Sequence, residues 1–374
     1  MTRTSERKRI KGLDKQIVEI ASWLAPARLL NPTMASRREA WERFRRAYNR
    51  HQIIDPELEY LPLPVDVIAR SHRALDALTF GETQIDGILS IQARQVRLQL
   101  QLLEARGTAR FGEVAANIHG LPDEELRSLA RGILDGSTSL QSAPDEGMGS
   151  GPRLSAHAMA GEMKAALTKM GIHGWRVTLL GEMSARMSVS ARHREVRIKS
   201  DSFFSTQDRD RLIVHELGTH VRRACNGFST GLMNLGLGLR RYMATEEGLA
   251  SIMEQKHGLL RHSMTLIYAY RALGAHLGHH YGFADTFRKL MEMGSSPEVA
   301  WDVTIRVKRG LTDTSIAGAN PKDYVYLQGH RMVSDFLASG GSEDDLFIGK
   351  IAIEQIPQVK SVLREWDFQK QPET

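Results

Sequence analysis

The stretch "RLIVHELGTHVRRACNG" (211–227) places two histidines and a glutamate in a run of helical composition. His215 and His220 are five residues apart, and in a regular α-helix such positions lie about 140° from each other. One extra backbone residue, taken up as a π-bulge, would return both imidazoles to one face, and such bulges favour functional sites. Gly218 supplies a permissive backbone inside this interval. The stretch predicts a locally widened helix that presents the two histidines together.

The residues just before this stretch predict where its helix begins. Ser205 followed by Asp208 has the spacing of a capping box, and an apolar run at 212–214 follows. We expect a helix from about residue 206 that carries the apolar run into the core.

Two histidines and nearby acids suggest a metal site. Neutral imidazoles suit zinc, and a catalytic zinc takes three protein ligands and keeps one open position. The segment "ATEEGLASI" (244–252) offers Glu246 and Glu247 at an expected helix start, with Thr245 as its cap. Glu216, beside the first histidine, is placed to act as a general base for peptide hydrolysis. The alternative is that these are ordinary helix histidines and solvated glutamates.

A second histidine pair competes with the first. His276 and His280 are four residues apart in "HLGHHYG" (276–282) and therefore share a helical face. No acid lies between them, so this pair predicts either a structural site or ordinary packing.

Composition limits the class of protein. The 374 residues are 41% hydrophobic and 25% charged, which is typical of a folded globular protein. The single cysteine, Cys225, excludes an intrachain disulfide and a cysteine-based zinc cluster. The longest apolar stretch, 231–239, is far shorter than the roughly 20 residues that a bilayer needs, so no membrane partner is expected.

The N-terminus and the net charge bear on location and partners. Asp14, Lys15 and Glu19 interrupt what would be the apolar core of a secretory signal, and we therefore expect a cytoplasmic protein. A net charge of +6 favours an anionic partner. The basic residues are not interleaved with aromatic ones, and no nucleic-acid-binding motif is present, so no nucleic-acid partner is expected.

The pattern along the chain predicts a mainly helical α+β protein. Residues 1–150 are expected to form an N-terminal helical region, in which the window 85–105 fits a strand by alternation but a helix by composition. A segment rich in Gly, Ser and Pro (136–152) marks the boundary to a catalytic domain at 151–374. Within that domain, a small antiparallel sheet is predicted by three short alternating runs, at 175–179, 187–189 and 196–198.

Three motifs together resemble the family of microtubule-associated tyrosine carboxypeptidases and their bacterial relatives, which are known for a Gln-Glu-Gly-Leu-Ala motif. They are "HELGTH" (215–220), "TEEGLA" (245–250) and "RVKRGLTDTSIAGANPKDYVYLQG" (306–329), and the similarity extends over about residues 30–365. The resemblance implies a zincin-like metallopeptidase core. It also implies a zinc carboxypeptidase that removes a C-terminal Tyr or Phe from peptides or protein tails.

The family also implies roles for particular residues. Zn²⁺ would be held by His215, His220 and Glu247, with Glu216 as the base. Glu246 stands where the bacterial motif usually has Gln, which leaves a second acid near the ion.

Recognition of a terminal carboxylate calls for a bidentate arginine. Arg306, Arg309 and Lys322 lie in the last motif and are candidates, although each is also explained as a solvated helix-end charge. Tyr326 is a candidate oxyanion donor or a structural residue. The positive net charge would suit an acidic tail as substrate. A catalytically silent metal-binding regulatory protein is the alternative function.

Overall fold

The computed structural model describes the greater part of the chain, namely residues 3–24, 26–145, 153–183 and 185–366. Its contacts divide the chain into two compact units. The first unit comprises Met1–Ser139 and Leu266–Gln328, and the second comprises Leu140–Thr265 and Gly329–Thr374. The division of function between residues 1–150 and 151–374 stays a prediction.

The first stretch of the first unit is helical. The window 85–105 is a helix because Leu89, Val96 and Leu103, spaced by seven residues, are all buried along one face. This helix begins at a capping box, in which Thr83 and Asp86 each bond the other's backbone N–H. The helices here are α1 (Arg3–Leu24), α2 (Pro26–Leu29), α3 (Met34–Tyr48), α4 (Val65–Asp76), α5 (Gln84–Ala105), α6 (Phe111–His119) and α7 (Glu124–Leu134).

The second unit opens with short strands and continues as helix. Its strands are β1 (Leu154–Ser155), β2 (Arg176–Leu180), β3 (Met187–Ser190), β4 (Glu195–Lys199) and β5 (Phe203–Phe204), with α8 (Ala156–Lys169) after β1. It continues through α9 (Thr206–Leu212), a π-helix (Ile213–Val221), α10 (Arg222–Ser229), α11 (Met233–Leu237) and α12 (Tyr242–Lys256). The segment 146–152, part of the predicted boundary, lies outside the described residues.

The three-stranded sheet is mixed, so the prediction of a purely antiparallel sheet was wrong. Its order is β2-β4-β3, with β3 antiparallel and β2 parallel to β4. Side chains alternate with a period of two in both kinds of pairing, and alternation therefore cannot reveal strand direction. The two-stranded sheet of β1 and β5 is antiparallel.

The core of the second unit fixes the π-helix in place. Met159 and Met163 of α8, Val196 and Ile198 of β4, and Leu217 of the π-helix are all buried in one cluster. The sheet and α8 therefore pack against one face of the π-helix, and residues on its other faces lie outside this cluster.

The remaining described elements are helices and short 3₁₀ turns. In the first unit, Phe44 packs against Trp301 with ring centroids 4.7 Å apart, and Phe283 joins the same core. No helix within the described residues is long and apolar enough to cross a membrane. The remaining helices are α13 (His262–His280), α14 (Phe283–Glu292), α15 (Pro297–Val307), α16 (Val325–Ala338), α17 (Glu343–Leu346) and α18 (Ile356–Trp366), with 3₁₀ turns at Pro321–Tyr324 and Ile353–Gln355.

Within the second unit, α12 touches α16 through glycine. A Cβ built on Gly248 would lie 2.1 Å from the carbonyl oxygen of Gly329, and one on Gly329 would lie 1.9 Å from that of Ala244. Only glycine allows the two backbones to come so close. The glycines of "EEGLA" and "YLQG" are therefore packing residues that set the position of α12.

Candidate functional site

The π-helix brings the two histidines of the motif together. It covers Ile213–Val221, and its i→i+5 bonding makes residues five apart neighbours on one face. The rings of His215 and His220 have centroids 4.8 Å apart. The hydroxyl of Thr219 donates to the carbonyl of Val214, also five residues earlier, at 3.3 Å. The predicted widening of the helix is confirmed, and it extends over nine residues rather than a single turn.

The predicted start of this helix is confirmed, whereas the predicted need for a glycine at 218 is not. The Ser205 and Asp208 capping box is present, and α9 begins at Thr206 as expected. Gly218 is not at a position that demands glycine, since an added Cβ would meet nothing closer than 3.6 Å.

The two adjacent glutamates of α12 serve different nitrogens. Glu247 Oε2 lies 3.7 Å from His215 Nε2 and 3.8 Å from His220 Nε2. Glu246 Oε1 instead accepts from His220 Nδ1 at 2.8 Å, on the opposite edge of the ring. Of the two glutamates, Glu247 is therefore the one whose carboxylate faces Nε2 of both histidines.

The helix that carries these glutamates begins earlier than predicted. It starts at Tyr242, after Arg241 in a left-handed conformation with φ of 64°, so Thr245 is not its cap. Thr245 is buried, and its hydroxyl accepts a hydrogen bond from the backbone N–H of Ile353 at 3.0 Å.

Each histidine also donates to a second carboxylate. His215 Nδ1 lies 2.7 Å from Oε1 of Glu254, which is fully buried and accepts from Arg211 Nη1 at 2.8 Å. Glu254 is seven residues after Glu247, two helical turns away on the same face of α12. A carboxylate at Nδ1 fixes a proton there and leaves Nε2 as the ring nitrogen that can bind a metal.

The carboxylate behind His220 is held by two cations. Glu246 accepts from Arg223 Nη1, and from Lys350 Nζ at 2.5 Å. The Arg223 guanidinium is completely buried and also donates to the carbonyls of Leu346 and Ile351 at 2.8 Å. This network fixes Glu246, and through it His220, from two separate parts of the second unit.

The electrostatics of the cluster favour positive charge between the ligand atoms. Burial alone would lower the pKa of His215, but the carboxylates of Glu247 and Glu254 outweigh it and raise that pKa to about 10. Burial likewise disfavours ionised Glu247, yet the neighbouring His215 and His220 lower its pKa. The carboxylates thus create a buried field that stabilises a cation.

Glu216 is a carboxylate without a competing partner. It is 7% exposed, follows His215 directly, and makes no hydrogen bond or ion pair with any described residue. A carboxylate in this condition is available to take a proton from a bound water.

The donor set fits zinc. His215, His220 and Glu247 each offer one ligand atom, and these atoms lie within 4.8 Å of one another. Two imidazole nitrogens and one carboxylate oxygen form a ligand set that catalytic zinc uses, and the second carboxylates at Nδ1 are the partners such ligands need. Across the described ranges, no other group of three or more such side chains converges in this way. His276 and His280 have ring centroids 4.8 Å apart but belong to no such group.

The four candidate substrate-binding residues all lie in the first unit. Arg306 donates to Asp302 at 2.8 Å and to Asp323 at 3.4 Å, and Arg309 donates to Asp323 at 3.1 Å. Lys322 lies in the 3₁₀ turn, and Tyr326 lies in the first turn of α16. Their role in binding substrate stays a prediction.

Sequence reasoning missed several residues of the site. Glu254 could have been found, because a spacing of seven from Glu247 places both on one helical face. Arg223 follows His220 by three residues, and this spacing indicates only that the two lie near each other on a helix surface. Lys350 gave none, since 104 residues separate it from Glu246.

The chain is thus mainly helical with a small sheet, and two histidines of its π-helix face a glutamate of the later helix α12. The chain belongs to the microtubule-associated tyrosine carboxypeptidase family, whose model matches residues 42–373, including all the residues of the site.

Individual relatives match over a shorter stretch. The chain is 32% identical over 162 residues to microtubule-associated tyrosine carboxypeptidase 1 of Rattus norvegicus, covering 40% of this chain and 32% of the relative. The Homo sapiens protein of that name is 32% identical over 164 residues, with the same two coverages. Putative tyrosine carboxypeptidase MATCAP2 of Mus musculus is 31% identical over 160 residues, covering 40% of this chain and 30% of the relative. These matches span about a third of the length of the curated relatives.

Proposed function

We propose that this protein is a zinc-dependent carboxypeptidase that removes a C-terminal Tyr or Phe from peptides or protein tails. The observation that carries the proposal is the convergence of His215, His220 and Glu247, with a carboxylate behind each imidazole. Family membership supports the reaction class, since the similar proteins are named tyrosine carboxypeptidases.

His215 and His220 through Nε2, and Glu247 through a carboxylate oxygen, would hold the zinc. When bound, zinc supplies Lewis acidity that polarises the scissile carbonyl and brings the pKa of water to near 7. Glu216 takes a proton from the attacking water and passes it to the leaving amine as the C–N bond breaks. Glu254 and Glu246 keep the Nδ1 protons in place throughout, because each accepts from one imidazole.

The substrate is expected to be a protein tail. The net charge of +6 would suit an acidic one, and we propose no nucleic-acid or membrane partner. Arg306, Arg309, Lys322 and Tyr326 remain proposed substrate-binding residues. A zincin-like core is the fold that we propose around the site.

Metal content and a base-deficient variant test the proposal. Purified protein should contain about one zinc per chain, and Glu216→Gln should keep that metal while losing cleavage, because the amide cannot accept the proton. Glu182→Gln is a matched control, since Glu182 is exposed and has no hydrogen bond with any described residue. Retained cleavage in Glu216→Gln would remove Glu216 from the mechanism.

A peptide library that varies only the final residue tests specificity. Mass spectrometry should show loss of one residue from peptides ending in Tyr or Phe and little loss from the others. Internal cleavage would indicate an endopeptidase. Metal binding without any cleavage would favour the catalytically silent regulatory protein.

A further inference from the structure

The last turns of α13, in the first unit, carry two histidines on one face. His276 and His280 are four residues apart, and their ring centroids lie 4.8 Å apart with planes inclined by 65°. The rings of His215 and His220, the pair in the candidate zinc site, have the same separation. Two imidazoles four residues apart on a helix can each offer one nitrogen to a single ion.

The opposite face of α13 packs against α15. An added Cβ would lie 2.3 Å from a valine of α15 at Gly274, and 2.7 Å from another at Gly278. His276 and His280 each follow one of these glycines by two residues, which is about 200° around the helix. The two histidines therefore point away from α15. His276 is partly buried and His280 is exposed, so an ion can reach both rings from solvent.

A buried lysine fixes the end of α13 that carries the pair. The ammonium nitrogen of Lys308 lies within 3.0 Å of four backbone carbonyl oxygens, those of Gly278, Tyr281, Ile316 and Gly318. Lys308 is fully buried, and two of its acceptors lie on either side of His280 in the chain. A turn held in this way keeps its imidazoles in place, so less conformational entropy is lost when they bind an ion.

Both imidazoles are available to a metal. Neither ring makes a hydrogen bond with any residue that the structure describes. Burial lowers the pKa of His276 below its ordinary value, with Arg127 and His280 acting in the same direction. Glu124, which is paired with Arg127, opposes that effect. The ring is therefore neutral at pH 7, and neutral imidazole is the form that binds metal.

The third histidine of this turn does not complete the set. The ring of His279 lies 5.0 Å from that of His280 by centroids, but its Nδ1 is buried. Within the described ranges, no group of three ligand atoms that includes His279 converges. The pair therefore supplies two ligands, and water is left to fill the other positions around an ion.

We propose that His276 and His280 form a second metal site, which binds a divalent transition-metal ion such as Zn²⁺ through one nitrogen of each ring. Imidazole suits such ions, whereas Mg²⁺ and Ca²⁺ take oxygen ligands. The C-terminal end of a helix also favours positive charge. With two protein ligands, the ion exchanges with solvent. This site is separate from the candidate zinc site of the second unit and does not depend on the proposed carboxypeptidase function.

The test counts the zinc ions that full-length protein binds at pH 7. Zinc in the purified protein is measured first, and Zn²⁺ is then added in competition with a chromophoric chelator. We expect one exchangeable equivalent with a dissociation constant of about 1 to 100 μM, because the pair supplies two of the four ligands of a structural zinc site. His280→Gln should weaken this equivalent at least about 10-fold, which is the cost of losing even an outer partner of a ligand. His276→Gln should do the same, and the double variant should lose little more, because either single change ends chelation.

Control variants separate chelation from nonspecific binding. His72→Gln removes a histidine of the same unit that is paired with Glu104, and it should keep the exchangeable equivalent. His279→Gln should keep it as well. His215→Ala removes a ligand of the other site and should also keep it. Melting temperatures establish that each variant is folded.

Several outcomes would overturn the inference. They are the absence of an exchangeable equivalent in the parent, an unchanged equivalent in His280→Gln, or an equal loss in His72→Gln. Cleavage and the tightly bound zinc are scored separately. If the protein cleaves and His280→Gln keeps all its zinc sites, only this inference fails. If it does not cleave and His280→Gln still loses the exchangeable equivalent, only the proposed function fails.

Discussion

Glu254 allows the support behind a metal-binding histidine to be measured. One oxygen, Oε1, accepts from both His215 Nδ1 and Arg211 Nη1, while Oε2 is buried and has no hydrogen-bond partner among the described residues. Glu254→Gln can place its carbonyl oxygen at Oε1 and keep both bonds, which removes the charge and puts an amide NH₂ at the buried Oε2 position. Glu254→Ala removes the charge and the acceptor together.

The expected magnitudes follow from this difference. Loss of a partner behind a metal ligand typically costs 10- to 100-fold in metal affinity, or about 1.4 to 2.7 kcal/mol. We expect about 10-fold weaker zinc binding for Glu254→Gln and about 100-fold for Glu254→Ala. The alanine variant also removes a buried counterion of Arg211 and should lose about 3 kcal/mol of folding stability.

Zinc affinity is measured by competition with a chromophoric chelator at fixed pH, and the fold of the metal-free protein is checked by circular dichroism and thermal melting. Glu182→Ala, at an exposed position, should leave zinc affinity unchanged. A folded Glu254→Ala protein that binds zinc within about twofold of the parent would refute the orienting role. Equal affinities for the Gln and Ala variants would show that charge alone matters.

Two further predictions concern the contact of α12 with α16. Gly329→Ala should destabilise the protein by about 3 kcal/mol in urea unfolding, because its Cβ would overlap the Ala244 carbonyl. The control Gly161→Ala has open space around its Cβ and should be neutral or slightly stabilising. Equal effects of the two substitutions would contradict the close approach. His330, buried beside Ser251, has its pKa lowered by burial from 6.5 to about 4, so its neutral form stabilises the fold above pH 6.5 and this stability is lost as the pH falls towards 4. Between pH 6.5 and pH 4 the free energy of unfolding should fall by about 1.4 kcal/mol per pH unit because of this group. His330→Gln should lose less stability than the parent between pH 7 and pH 5, measured by denaturant titration at each pH. An equal loss in parent and variant would contradict the prediction.

Local sequence signals predicted the parts of the structure that depend on local physics. The capping box at Ser205, the helix over the ambiguous window 85–105 and the widening between His215 and His220 are all present. Each depends on residues within a few turns of one another, which is the range over which spacing and capping act.

Features that depend on distant residues or on backbone direction were missed. The parallel pairing of β2 with β4 leaves no trace in side-chain alternation. The start of α12 was misplaced because Arg241 adopts a left-handed conformation that its residue type does not announce. Lys350 reaches Glu246 only through tertiary folding. Glu247 faces Nε2 of both histidines and Glu246 accepts from His220 Nδ1. This difference depends on how α12 is oriented toward the π-helix, and two adjacent glutamates in a motif do not reveal that orientation.

The π-helix also determines how the motif tolerates changes in length. The extra residue is accommodated by the wider turns of the π-helix and not by a loop. Deletion of Gly218 would leave the two histidines four residues apart, and an ordinary α-helix also places such residues on one face. Chains with either interval could therefore build the same pair of imidazoles. A search by fixed spacing would separate proteins that share one arrangement of side chains, whereas a comparison of helix faces would group them.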